Sequence, residues 1–360
     1  MKCVGLNITD EGDVADFLGV RIDKNGSREK KTQTITMTQP QLIDSILQDL
    51  QLDHADTQTT RTPMASSKIF FRHSGSKAFY GHFHYRSVIG KLNYLGKCSR
   101  PDIAYAVHQC ARFSGDPKVE HGKAVMWIGR YILATRDKGI ILTPSGEESF
   151  EVMVDADFAG KWDPFEAESN TDTARSRHGY IVSYAGCPMI WASNLQGEVA
   201  LSSTESEVIG LLEALRVVIP LMDLLKELKV HRFPITYKIP KIFCKVFEDN
   251  SGAIEIAKVF KLFPRTRHLN SQFHHFRQYQ ERGEIEILPI DTTMMTSFGR
   301  RSVTIMRLSQ RISLECFNGI SGSLSQIPMR RSQPCQNDTT TSTTTSRLGM
   351  THSTPNRPVG

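Results

Sequence analysis

The stretch Glu151-Val152-Met153-Val154-Asp155-Ala156-Asp157-Phe158 decides how the rest of the chain is read. Its valines and short apolar run predict a β-strand. An aspartate inside such a strand is unfavourable unless it is paired or bound to metal. Asp155 is therefore either a strand-end residue facing solvent or part of a site. Working outward, strands are predicted over 151–158, 179–184 and 188–192, and a long helix over 203–228. A strand over 242–248, helices over 251–259 and 269–282, and a last strand over 284–290 complete the pattern. Three strands, a helix, a strand, helices and a strand predict an α/β domain over 150–290.

Upstream, strand-like runs over 17–22 and 34–37 precede a helix starting at Pro40. That helix carries Leu42, Ile43, Ile46, Leu47 and Leu50 on one stripe. A polar linker over 53–80 follows, then helices over 85–98, 101–113 and 119–135, with Lys138-Gly139 as a stop. Residues 17–145 thus read as a mostly helical subdomain. Residues 291–360 show no periodicity, a threonine-rich run at 339–345 and no lysine, and are expected to be a disordered tail.

At 360 residues, with 39% hydrophobic and 23% charged residues, the chain has the length for two or three soluble domains. The net charge of +6 invites a nucleic-acid reading, but its location weakens it. From Thr296 onward there are eight arginines against one glutamate and one aspartate, which accounts for the whole +6. No apolar run reaches the ~20 residues of a membrane span, and the first ten residues lack a signal-peptide core. Seven dispersed cysteines without Cys-x-x-Cys spacing read as reduced thiols. The expected location is intracellular, in cytoplasm or nucleus.

Hydrolysis of a phosphodiester with two divalent ions needs several carboxylates at one point. Besides Asp155, two more candidates stand out. Ser202 with Glu205 three residues on matches a capping box, so Glu205 has a structural explanation. Glu207 has none, and is favoured as a metal ligand over an ordinary exposed helical glutamate. Asp249 ends the strand over 242–248, as either an N-cap for the next helix or a ligand at a strand's carboxyl end.

Ordered segments now resemble a known family. Tyr85-Arg86-Ser87-Val88-Ile89-Gly90 with Leu92, Tyr94 and Leu95 resembles a Tyr-Arg-x-x-x-Gly-x-Leu-x-Tyr-Leu helix. Arg100-Pro101-Asp102-Ile103-Ala104-Tyr105-Ala106-Val107 resembles a hallmark octapeptide, and Phe17-Leu18-Gly19-Val20 and Thr62-Pro63-Met64 also match. Asp155-Ala156-Asp157-Phe158-Ala159-Gly160 is close to Asp-Ala-Asp-Trp-Ala-Gly. Leu201 to Glu207 is close to Leu-Ser-Ser-Thr-Glu-Ala-Glu, and Asp249-Asn250-Ser251-Gly252-Ala253-Ile254 to Asp-Asn-x-x-Ala-Ile. Arg265-Thr266-Arg267-His268-Leu269-Asn270 is close to Arg-Thr-Lys-His-Ile-Asp. These motifs resemble copia-type long-terminal-repeat retrotransposon Pol polyproteins, from about Phe17 to Ile290.

The resemblance implies the C-terminal part of a reverse transcriptase over 17–145, followed by a ribonuclease H-like mixed sheet with flanking helices over 150–290. It implies Asp155, Glu207 and Asp249 as three of four metal-binding carboxylates, Mg²⁺ or Mn²⁺, and an RNA–DNA hybrid read through backbone and 2′-hydroxyl contacts. The family's polymerase aspartates would precede Phe17, so no DNA polymerisation is expected of this segment. After Leu288-Pro289-Ile290, the segment Asp291 to Gly299 does not match the helix bearing the fourth aspartate, which implies weak activity. The alternative is a catalytically decayed remnant that at most binds nucleic acid.

Other conspicuous residues have plainer roles. Asn270 reads as a helix cap, and His268 as packing or capping. His274-His275 point apart on a helix and are poor joint ligands. His82 and His84 read as solvated surface, Tyr180 and Trp191 as core. Pro220 is expected to kink the long helix near Arg216.

Overall fold

Leu18 and Gly19 take positive φ values of 52° and 74°, the geometry of a tight hairpin turn. They split the single strand expected over 17–22 into β1 (Asp16–Phe17) and β2 (Val20–Asn25), which pair antiparallel. β3 (Thr34–Thr38) continues this sheet, and β4 (Ile140–Leu142) closes its far edge, pairing Ile35 with Leu142. The strand β4 was not anticipated. Gly139, read as a helix stop, also lets the chain pass the Met37 carbonyl, where a Cβ would collide. The structure, a computed structural model, describes residues 15–26, 33–54, 56–64, 77–144, 148–159, 162, 171–231, 243–258 and 276–290. The expected disordered tail, and Asp291, Asn270, His268, His274 and His275, lie outside the described residues.

Among the described residues, four α-helices lie between β3 and β4: α1 (Pro40–Asp49), α2 (Tyr85–Cys98), α3 (Ala104–Ala111) and α4 (Val119–Ala134). Ile43, Ile46 and Leu47 on α1 meet Val88, Ile89, Leu92 and Leu95 on α2 in one core, with Val125, Ile128 and Ile132 of α4. Each such fully buried side chain contributes about 1.5–3 kcal/mol. His84 caps α2, its Nδ1 accepting from the Ser87 N–H at 3.2 Å. The octapeptide helix expected over 101–113 starts later than expected, after a short 3₁₀ turn at Pro101–Ile103. Arg100 precedes this turn and Asp102 lies within it, both buried. Arg100 Nη2 donates to Asp102 at 2.8 Å and to Thr135 Oγ1 at 2.6 Å, and Nη1 donates to the Thr135 carbonyl at 3.0 Å.

The second sheet contains β5 (Phe150–Ala156), β6 (Arg177–Tyr184), β7 (Cys187–Leu195), β8 (Cys244–Glu248) and β9 (Ile285–Pro289), in the order β7-β6-β5-β8-β9. β5, β6 and β7 run antiparallel, whereas β8 and β9 run parallel to β5. The parallel strands need helical crossovers. α5 (Ser203–Val230) leads into β8, and α6 (Ser251–Lys258) with a helical turn at 276–281 lies between β8 and β9. The chain therefore forms the α/β mixed sheet with flanking helices expected from its sequence.

Alternation sets the two faces of this sheet. Phe150, Val152 and Val154 with Tyr180 and Val182 pack under Val208, Leu211, Leu212, Leu215 and Ile219 of α5. Met153 and Ile181 turn the other way and meet Ile140, with Trp191 at their edge. Trp191 Nε1 donates to the Gly96 carbonyl of α2 at 2.8 Å, and Arg112 of the helical region pairs with Asp172 at 3.0 Å. α5 runs unbroken through Pro220. Among the described residues, no helix is long and apolar enough to cross a membrane.

Candidate metal centre

β5 and β8 lie side by side with Met153 opposite Phe247. Carrying that parallel register two residues further sets Asp155 level with Asp249, at the carboxyl ends of neighbouring strands. Asp155 is only 5% exposed, so it is not a strand-end residue facing solvent. On its other side Asp155 pairs with Gly179 of β6. Asp157, the second acid of the same motif, is used structurally: its carboxylate accepts the Arg177 N–H and its own N–H donates to the Arg177 carbonyl at 2.8 Å.

Glu207 arrives from above, in the second turn of α5. Ser202 Oγ accepts the Glu205 N–H at 3.1 Å, and Glu205 in turn accepts the Leu201 N–H at 2.9 Å. The cap thus consumes Glu205 and fixes where the helix begins. Three residues after Glu207, Gly210 brings α5 down onto the sheet. A Cβ there would lie 3.2 Å from His178 Cβ and 3.4 Å from Val154 Cγ1. This close approach lays Glu207 over the strand end, where the Ala156 N–H donates to it. Glu207 is 7% exposed, which excludes the ordinary exposed helical glutamate.

Asp249 had a competing role as a helix cap. Asn250 fills that role instead, its Oδ1 accepting the Ala253 N–H at 3.0 Å. Asp249 is left half-buried beside the other two acids. Ligand oxygens of Asp155, Glu207 and Asp249 all lie within 4.8 Å of one another.

Sequence reading missed a fourth acid nearby. Glu248 is fully buried, with Oε1 accepting the Asn250 N–H at 3.1 Å. Its Oε2 and the Oε2 of Glu207 are buried and have no hydrogen-bond partner among the described residues. The one sequence signal was a glutamate at an inward position of an alternating strand.

These acids repel one another's charge. Burial first, then the negative charges of Glu248, Asp155 and Asp249, push the Glu207 carboxyl up to about 11. Burial holds Glu248 well above the usual carboxylate range, and raises Asp249 too. Neighbouring His178 goes the other way. Burial and then the Arg177 charge lower it to about 4, so it stays neutral and offers no compensating cation. The donor set is all carboxylate oxygen, with unsatisfied buried oxygens. It fits a hard divalent cation such as Mg²⁺ or Mn²⁺.

No protein-family model matches the chain. It is 30% identical over 293 residues to the retrovirus-related Pol polyprotein from transposon TNT 1-94 of Nicotiana tabacum, covering 80% of this chain and 20% of that one. It is 31% identical over 231 residues to the corresponding polyprotein from transposon RE2 of Arabidopsis thaliana, covering 64% of this chain and 15% of that one. The chain thus spans a fifth or less of the length of these relatives. Among solved structures it resembles LC11-RNase H1 isolated from compost, with 11% identity and a TM-score of 0.30 over 48% of this chain and 97% of that one.

Proposed function

We propose, from the chain's similarity to copia-type retrotransposon Pol polyproteins, that its second sheet is a metal-dependent ribonuclease H acting on RNA in RNA–DNA hybrids. On this reading, residues 17–145 are the C-terminal part of a reverse transcriptase and residues 150–290 the nuclease. The reading rests above all on one observation: three carboxylates far apart in sequence converge to within 4.8 Å at the ends of two parallel strands.

Asp155, Glu207 and Asp249 would hold Mg²⁺ or Mn²⁺. A divalent cation, when bound, supplies positive charge to the scissile phosphate and the leaving oxygen. The chain's own groups do the rest. The β5–β8 register holds Asp155 and Asp249 level, Gly210 sets the height of Glu207, and the apolar core beneath keeps water from the buried side of the acids. Half-buried Asp249 marks the side open to a substrate.

Cleavage of a labelled RNA–DNA hybrid, with and without Mg²⁺, tests this. Wild type is expected to cut only with the ion. Asp155→Asn is expected to lose more than the ~10- to 100-fold typical of outer-shell changes. Equal cleavage by both proteins would sink the reading. The sequence after Ile290, which does not match the fourth-aspartate helix, favours a second reading: a remnant that binds without cutting. Hybrid binding that weakens as salt rises, without hydrolysis, would select it.

A further inference from the structure

A cleft of about 380 Å³ opens between α2 and α3 on one side and β7, the edge strand of the second sheet, on the other. That size lies within the ~300–1,000 Å³ of small-ligand sites. Its inner wall is apolar: Leu92 and Val107 are buried, and the Trp191 indole is held in place by its bond to the Gly96 carbonyl. Met189, Lys97 and Asn194 form its exposed edge, with Asn93 part-buried beside them. None of the residues lining the cleft is acidic.

Behind this cleft lies a buried cation. Arg177 is 1% exposed, and its Nη1 donates to His108 Nδ1 and to the Ser193 carbonyl, both at 3.0 Å. His108 and Ser193 both line the cleft. Neither acceptor carries negative charge, because an Nδ1 that accepts from a guanidinium belongs to a neutral imidazole. The Nε and Nη2 of Arg177 are buried and have no hydrogen-bond partner among the described residues. Burial lowers the guanidinium to about 10, which leaves it charged at neutral pH. The acids near it are Asp157 and Asp172, and Asp172 is already paired with Arg112 at 3.0 Å and Arg175 at 3.6 Å. Three arginines against two aspartates leave 3 − 2 = +1 here. Low-dielectric walls focus such a charge into a neighbouring cleft.

We propose that this cleft is a nucleotide site, separate from the acidic centre, which takes one phosphorylated nucleoside, either free or as a unit of an RNA strand. Each part of a nucleotide has a counterpart. The apolar wall takes the flat base, the amides of Asn93 and Asn194 offer both donors and acceptors to its edge, and Lys97 with the field of Arg177 draws the phosphate. The site shares no residue with the acidic centre, so it can be tested without metal and stands apart from the metal-dependent reading.

Calorimetric titration of the full chain with AMP, in EDTA, is the test. Without metal the acidic centre repels a phosphate, so that centre does not contribute. AMP is expected to saturate at one per chain, with adenosine and inorganic phosphate each binding at least ~10-fold more weakly. Met189 is 53% exposed, so Met189→Glu keeps the fold, as an unchanged Tm will show. Its carboxylate at the cleft's edge is expected to weaken AMP at least ~10-fold. In Arg177→Gln the preference for AMP over adenosine is expected to shrink, a ratio that a purely structural arginine would not alter. A short single-stranded RNA identifies the source: displacement of AMP by the RNA assigns the site to a strand, and failure to displace it assigns the site to a free nucleotide. No saturable AMP binding by wild type overturns the proposal. So does equal AMP affinity in wild type and Met189→Glu, or adenosine binding as tightly as AMP.

Discussion

The helical region and the second sheet both bury charge, and they treat it in opposite ways. Arg100 and Asp102 are fully enclosed, but their charges cancel within two residues of sequence and Thr135 takes the remaining donors. Four acids meet at the end of β5 and β8, two of them with buried oxygens that no group among the described residues satisfies. A buried pair that completes itself is architecture. A buried set of like charges that the fold leaves uncompensated is a place prepared for something from outside. The two regions contain similar chemical groups, and only the presence or absence of an internal counter-charge tells them apart.

The largest effect expected is at the self-contained pair. Arg100→Leu leaves Asp102 charged and enclosed without its counter-charge, and should cost about 3–5 kcal/mol in denaturant melts. A loss below ~1 kcal/mol would show that water reaches the site and break the contrast.

Removing charge from the acidic centre should do the reverse. The Glu207 carboxyl ionises near 4.5 when unfolded and is pushed up to about 11 when folded. The folded state thus holds the extra proton more tightly, so the stability this group contributes is complete below pH ~4.5 and is lost as pH rises toward about 11. Metal-free protein should lose stability steadily from neutral to alkaline pH, and Mg²⁺ should flatten that slope. Glu207→Gln at pH 8 should be as stable as wild type or more so, by roughly 1 kcal/mol or more in thermal melts without metal. A clearly less stable Glu207→Gln would mean that the charge is already compensated within the fold.

The smallest expected effect is at Gly210. Its added methyl in Gly210→Ala meets His178 and Val154 at 3.2 and 3.4 Å, so α5 must rise slightly. The expected cost is about 1 kcal/mol of stability, with weaker Mn²⁺ binding because Glu207 rises with the helix. Unchanged Mn²⁺ affinity would show that the helix height does not set the site.

Much of this arrangement could be read before any coordinates. The stripe on α5 and the alternation in β5 carried their periods openly, so the α/β order followed. The three acids could be singled out only as a set, because each had a plausible ordinary role alone. What failed to show has identifiable causes. Leu18 adopts the left-handed conformation that sequence assigns to glycine or asparagine, so the β1–β2 turn looked like continuous strand. β4 is three residues long and pairs with a strand about a hundred residues earlier, too short for alternation to show and too distant for local signals. Asp249 and Asn250 are both good caps, and only the Asn250–Ala253 hydrogen bond shows which one serves. Glu248 looked like the polar end of a strand, because inward facing depends on the pairing of β8 with β5.

The reverse face of the second sheet joins it to the region before it. Met153 and Ile181 are covered by Ile140, and Trp191 is tied to the Gly96 carbonyl, both from the preceding region. Cutting the chain between residues 144 and 148 and separating the pieces would leave that apolar face bare and take the Gly96 carbonyl away from Trp191. The second sheet is therefore expected to lose solubility and stability when expressed without the region that precedes it.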